Sequence, residues 1–329
     1  MKTFARLILL AILIVAAWFL WAFTLPVKPS SPTIVTLHSG ASARQIAATL
    51  DSSGVIRSKT AFVLYHLYIG RRTLKAGDYL FENSATMAEV HERIARGDVY
   101  TVAVVIPEGF NIYDIAVALE QAKLCSREDF LKAARSETAL IADLSPDAPS
   151  LEGFLYPDTY DFGPSMSPHD MAAMMVKRFR KEATTLGLHG DIARTVTMAS
   201  IVEKETRVET ERPLVASVFE NRIVKKMPLS TDPTVIYAAL LDGEWSGVIH
   251  QSDLQRESPY NTYRHNGLPP GPIANPGHTA LLAAMEPAHT QYLYFVADNT
   301  GGHNFARTAD EHAKNVAAYR KGVAKHVEH

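Results

Sequence analysis

Hydrophobic and polar positions change their rhythm three times along the chain. From Leu7 to Leu25 no charge occurs, and as a helix that run spans roughly 28 Å, close to the hydrocarbon thickness of a bilayer. Lys2 and Arg6 precede it, Trp18 and Trp21 lie towards its far end, and Pro26, Pro29 and Pro32 come after it. The positive-inside rule then predicts a cytoplasmic tail at 1–6, a single membrane-spanning anchor at 7–25 and a linker at 26–34, with the remainder on the far side. A cleaved signal peptide is the rival, but Ala22-Phe23-Thr24 is the best small-residue cleavage site on offer. A lipoprotein signal needs a cysteine near the N-terminus, and the lone cysteine is Cys125.

Past the linker two segments share one pattern. Val35-Thr36-Leu37, Gly40, Ile46, Ala47 and Leu50 match Val104-Val105-Ile106, Gly109, Ile115, Ala116 and Leu119 at a constant separation of 69 residues. Ser58 and Phe62 then match Ser126 and Phe130 at 68. Each segment predicts a short strand, a turn containing glycine and an amphipathic helix. Between them Gly77 to Phe81 predicts a further strand, and Ser84, Met87, Val90, Ile94 and the closing Gly97 a capped helix. Units of this build resemble small LysM-like modules, which bind N-acetylated glycans. That likeness assigns 35–150 to a glycan-binding region, although repetition alone fits a compact platform equally well.

From Leu151 the pattern is different. A Gly, Pro and Tyr-rich entry (Leu151 to Pro164) leads to predicted helices at Met171 to Leu186, Ile192 to Glu205 and Arg212 to Val224. Tyr260 to Gly277 carries too many turn residues for regular structure, and loops of that length usually have a function. A helix at Thr279 to Met285, a strand at Tyr292 to Ala297, a Gly301-Gly302 turn and a helix from Asp310 to about Lys325 complete an α+β fold, with 151–329 as a mixed α/β domain.

Composition narrows the function. Hydrophobic residues make up 47% and charged residues 21% of 329, as in globular proteins. Lys plus Arg number 33 against 35 Asp plus Glu, so no basic excess exists to neutralise nucleic-acid phosphates. Cys125 has no cysteine partner and reads as a packing residue. No GxSxG elbow or glycine-rich phosphate loop occurs, and no cofactor is implied. His303 and His312 do not have the spacing of a zinc motif.

One carboxylate stands out. Glu203 follows Thr197-Met198-Ala199-Ser200-Ile201-Val202, so one and two turns back its helix face is apolar and small. Such a wall raises a carboxyl pKa towards the range of a general acid and leaves room for a ligand. The ordinary alternative pairs Glu203 with Arg207 one turn on. Glu205 and Glu211 read as a solvated face, and Asp232 as an N-cap with Pro233 at the first helical position.

These residues lie in a longer series of motifs. Glu152-Gly153-Phe154, Tyr156-Pro157-Asp158-Thr159-Tyr160, Ala199 to Thr206, Glu211 to Phe219, Thr231-Asp232-Pro233-Thr234, Tyr260-Asn261-Thr262-Tyr263, Gly267 to Gly277 and Tyr292 to Val296 with Gly302-His303 resemble, in order, the motifs of the YceG-like family of endolytic murein transglycosylases. The likeness covers nearly the whole chain. It implies a lyase of the bacterial inner membrane, with its catalytic domain in the periplasm. That enzyme would cleave peptidoglycan glycan strands between N-acetylmuramic acid and N-acetylglucosamine, leave a 1,6-anhydro end and so terminate strand elongation. It further implies a single catalytic glutamate at Glu203, no metal, and membrane peptidoglycan synthases as partners. Glu152, Asp232, Asn261 and Tyr263 are expected to contact substrate, the last two from a loop lining the cleft. Ser230 and Glu220 depart from the family's usual Gln and apolar residue. The alternatives are a hydrolytic muramidase using Glu152 or Asp232 as second carboxylate, and a non-catalytic glycan-binding scaffold of the cell-wall machinery.

Overall fold

The computed structural model describes residues 2–327. Two compact units divide the chain: one runs to Ala103 and takes in Asp161–Met166, and the other comprises Val104–Tyr160 and continues from Ser167.

In the first unit, helix α1 (Lys2–Thr24) exposes its apolar side chains along most of its length. Residues 6–24 form the one segment, among the described residues, long and apolar enough to cross a membrane. The expected linker is tied down: Val27 bridges to Ala85, and the Arg57 guanidinium donates to the Pro26 carbonyl. Strand β1 (Thr33–Leu37) pairs antiparallel with β2 (Gly77–Phe81), with Val35 opposite Tyr79. Helices α2 (Ala43–Ser52) and α3 (Lys59–Tyr68) lie between these strands in sequence, and α4 (Met87–Arg96) comes after β2.

Local chemistry sets these boundaries. Ser42 with Gln45 and Thr86 with Glu89 form capping boxes, and Ser58 caps α3. Gly97 ends α4 at a φ of 79°, the left-handed conformation glycine adopts without penalty. Ile46, Leu50, Phe62, Tyr79, Phe81, Val90 and Ile94 make the core. Beside it, His66 Nδ1 and His91 Nε2 lie 3.0 Å apart, both buried, and burial holds His91 down at about 4.

The second repeat opens with β3 (Val102–Ile106), α5 (Ile112–Gln121) and α6 (Arg127–Ser136), and β3 pairs with β4 (Asp158–Phe162). Asn111 and Asp114 form a capping box where the first repeat has Ser42 and Gln45, and Ser126 caps α6 as Ser58 caps α3. The duplication runs further than the sequence pattern suggests. Tyr79 and Phe81 correspond to Tyr160 and Phe162 at a separation of 81, and each tyrosine hydroxyl donates to the carbonyl four residues back. At the same separation the N-cap Thr86 corresponds to Ser167, the N-cap of α7 (Pro168–Leu186). The repeating unit is therefore strand, helix, helix, strand, helix.

The second compact unit begins at Val104, within β3. The second repeat cannot be closed off from the rest of its unit, because α6 packs on α7 and the Glu152 carboxylate accepts from the Ile112 N–H. The remaining helices of this unit are α8 (Ile192–Glu205), α9 (Arg212–Val224), α10 (Asp232–Leu241), the short α11 (Gln251–Leu254) and α12 (His278–Met285). An antiparallel pair, β5 (Tyr294–Ala297) and β6 (His303–Ala306), precedes α13 (Ala309–Val327). Residues 260–277 contain no helix or strand, as expected.

Candidate active site

Helix α8 packs on α12, and the facing residues are small: Ala199 and Ser200 against a helix whose Ala280, Ala283 and Ala284 are buried. Close approach of the two helices brings the last turn of α8 against the start of α12, where Glu203 sits. Its side chain is only 6% exposed. One oxygen, Oε1, accepts from Arg212 Nη2 at 2.7 Å, and Oε2 accepts from the Gly277 N–H at 3.0 Å. The partner is thus Arg212 and not Arg207: the chain turns after α8, and α9 begins with a buried arginine aimed back at the carboxylate.

Arg212 also bonds the Thr279 hydroxyl, and its Nη1 lies 3.7 Å from Glu108 Oε2. One buried guanidinium therefore serves two carboxylates, Glu203 within the protein and Glu108 at its surface, 46% exposed. Burial pushes the Glu203 carboxyl above its ordinary range; the Gly277 N–H and Arg212 pull it down, and the negative charge of Glu108 adds to the rise. Lys204, the remaining nearby cation, donates to the Gly109 carbonyl at 3.1 Å.

A hydrogen-bonded knot holds this arrangement. Asn275 accepts from the Leu155 N–H at 2.8 Å, donates through its side-chain amide to the Phe110 carbonyl and to Glu152 Oε1, and accepts at its carbonyl from the Gly109 N–H. Glu152 accepts in addition from the Ile112 N–H at 3.0 Å and from the Tyr237 hydroxyl, and burial pushes its carboxyl up to about 8. The turn after β3, the segment at 152–155 and the end of the long loop are thereby fixed on one another. A Cβ at Gly277 would lie 1.9 Å from Glu108 Oε1, so any larger residue there would move the Glu108 carboxylate.

The substrate contacts expected from sequence separate into two groups. Glu152 and Asn261 are 2% and 0% exposed. Their polar atoms are spent internally, Asn261 donating to the carbonyls of Asp253, Leu254 and Arg256 and accepting from the Tyr263 N–H. Both side chains therefore tie backbone segments of the unit to one another. Asp232 and Tyr263 are exposed and bonded to each other, hydroxyl to carboxylate, at 2.7 Å. The N-cap of α10 is Thr231, one residue before the expected Asp232, and its hydroxyl bonds Glu205.

Glu205 and Glu211 are not a solvated face. Burial raises the Glu205 carboxyl, and Glu211 grips the start of β6 through the His303 N–H (2.9 Å) and ring Nδ1 (2.7 Å). Among the described residues no group of three or more His, Cys, Asp or Glu is placed to hold a metal ion. Glu108 and Arg212, central to the geometry, carry no periodic signal: they lie 95 residues before and nine residues after Glu203.

The chain matches the YceG-like family over residues 35–318. It belongs to that family. This YceG-like chain is 34% identical to the endolytic murein transglycosylase of Bacillus subtilis, over 93% of its own length and 91% of the relative's. Against the endolytic murein transglycosylase of Streptococcus pneumoniae the identity is 28%, over 95% of this chain and 64% of that one. Among solved structures, a YceG-like protein from Listeria monocytogenes is 34% identical, with a TM-score of 0.57 over 86% of this chain and 99% of that chain.

Proposed function

We propose that this YceG-like protein is a membrane-anchored lytic transglycosylase that cuts peptidoglycan glycan strands internally, between N-acetylmuramic acid and N-acetylglucosamine. It is a lyase acting on peptidoglycan, a reading supported by relatives named endolytic murein transglycosylase along nearly the whole chain. The observation that carries the mechanism is one buried carboxyl, Glu203, raised by burial yet provided with two donors ready to receive its charge.

Protonated Glu203 gives its proton to the glycosidic oxygen as the bond from the muramic anomeric carbon breaks. The carboxylate so formed is stabilised by Arg212 and the Gly277 N–H. It then takes the proton of the 6-hydroxyl on the same sugar, whose oxygen bonds to the anomeric carbon and closes the 1,6-anhydro ring. No water enters the balance. A hydrolase would need a second carboxylate to activate water, and Glu152 is unsuited because its oxygens already accept from Ile112, Asn275 and Tyr237.

In this reading α1 fixes the protein in the bacterial inner membrane with its N-terminus cytoplasmic and the catalytic unit periplasmic. The LysM-like region at 35–150 holds glycan, the Asp232–Tyr263 pair contributes sugar contacts, and membrane synthases supply nascent strands. The test is a digest of purified peptidoglycan analysed by mass spectrometry. Lytic chemistry gives muramic ends one water lighter than hydrolysis does, and fully hydrated ends would refute it.

A further inference from the structure

Beyond Lys59 and Thr60 in its first turn, helix α3 has no exposed charged face. Its sequence is KTAFVLYHLY; Ala61, Phe62 and His66 are buried, yet Leu64, Leu67 and Tyr68 are 42%, 44% and 87% exposed. These three fall at i, i+3 and i+4 and so form one stripe. A helix apolar all round is ordinarily buried in protein or in lipid, and this one covers only one side of itself with protein.

What lies next to the stripe identifies the other cover. Ala16, Phe19, Leu20 and Phe23 of α1 and Leu64, Tyr65 and Tyr68 of α3 line one open groove of about 740 Å³, and the Phe23 and Tyr65 rings meet edge to face at 5.5 Å. Residues 6–24 of α1 rise about 28 Å, the thickness of a bilayer's hydrocarbon core. When they fill it, Ala16 to Phe23 occupy roughly the last 10 Å on the side from which the chain emerges. A helix packed along that stretch sits at the depth of the acyl chains and headgroups. Its surroundings have the matching chemistry: Arg57 lies over the Trp21 ring at 5.3 Å, and Arg44 and Lys59, both exposed, border the adjoining groove with Leu64. Aromatic rings at the interface with cations just outside them are the pattern of a membrane-seated surface.

We propose that the Leu64, Leu67 and Tyr68 face of α3 is embedded in the bilayer leaflet from which the chain emerges, with phospholipid acyl chains filling the groove between α1 and α3. The first repeat is then seated on the membrane, not swinging from a tether. This inference rests on α1 being a membrane span, and the test separates the two.

The full chain, with Cys125→Ser, receives one cysteine at a time, Leu67→Cys, Leu13→Cys or Val224→Cys, labelled with an environment-sensitive fluorophore. Each is reconstituted into phosphatidylcholine vesicles containing phosphatidylglycerol, with and without lipids spin-labelled near the top of the acyl chain. Quenching at 67 at least twofold above that at the exposed Val224 is the expected result. Quenching at 13 but not at 67 overturns the embedded face while leaving the span. Absence of quenching at both positions overturns the span and the proposal with it. A blue-shifted but unquenched label at 67 means that protein, a second copy or another membrane helix, covers the face, and also overturns the proposal.

Discussion

In the proposed mechanism burial does most to keep Glu203 available as an acid, and Glu108 adds to that effect. Glu203 must be protonated to donate, so activity falls as pH rises through its folded pKa, and the alkaline limb of kcat/KM reports that value. The charge of Glu108 favours the protonated form. Glu108→Gln removes that charge and should move the alkaline limb to lower pH; a limb that does not move would show that Glu108 is electrostatically idle. Gly277→Ala should shift it in the same direction. Its Cβ would displace the Glu108 carboxylate from beside Arg212, and because Glu108 is the tip of a flexible exposed side chain, stability should change by less than about 1 kcal/mol. Unequal or opposite shifts in the two variants would break the link. None of this was legible in the sequence, which marks Glu203 by its apolar helix face but offers only Arg207 as partner. Arg212 lies across a turn, beyond the reach of helical periodicity. Nor does a sequence show that Glu152 and Asn261 are buried and hydrogen-bonded internally while Asp232 and Tyr263 are exposed.

At the scale of elements, strands and helices were largely readable because their signals are local. Ser58, Ser126 and Gly97 stand where α3 and α6 begin and α4 ends. The second half of the duplication escapes the sequence pattern because Tyr79 and Tyr160 keep only alternate residues in common, and α4 and α7 only their capping chemistry. One buried pair makes the first repeat sensitive to acid. Folding holds His91 neutral down to about 4, below its ordinary value of 6.5. As pH falls below 6.5 the unfolded chain takes up a proton that the folded one refuses, so stability present at neutral pH is lost progressively towards pH 4. Thermal unfolding between pH 7.5 and 5 should show a loss on the order of 1 kcal/mol at His91. A His91→Gln variant, whatever its stability at neutral pH, should lose correspondingly less over that range; an equal loss would remove His91 as the cause.

For the molecule as a whole, one apolar helix long enough to cross a membrane precedes two strand-and-helix repeats, and the second repeat shares its compact unit with the residues that follow it. Composition registers which residues are used and not which surfaces pack, and α6 on α7 with Glu152 on Ile112 joins the second repeat to the rest of its unit. Removing residues 1–25 behind a cleavable export signal should leave purified strand cleavage intact and loosen control of strand length in cells. Unchanged length control would reduce α1 to a tether. The claim on which everything else depends is that Glu203 alone carries the proton transfers, and Glu203→Gln tests it most directly, since it keeps the size of the side chain and an oxygen for one of its two donors but cannot give up the proton. The rate at which purified, folded protein releases anhydro ends from glycan strands should fall by about a hundredfold to ten-thousandfold. A rate within tenfold of the parent protein would contradict the assignment.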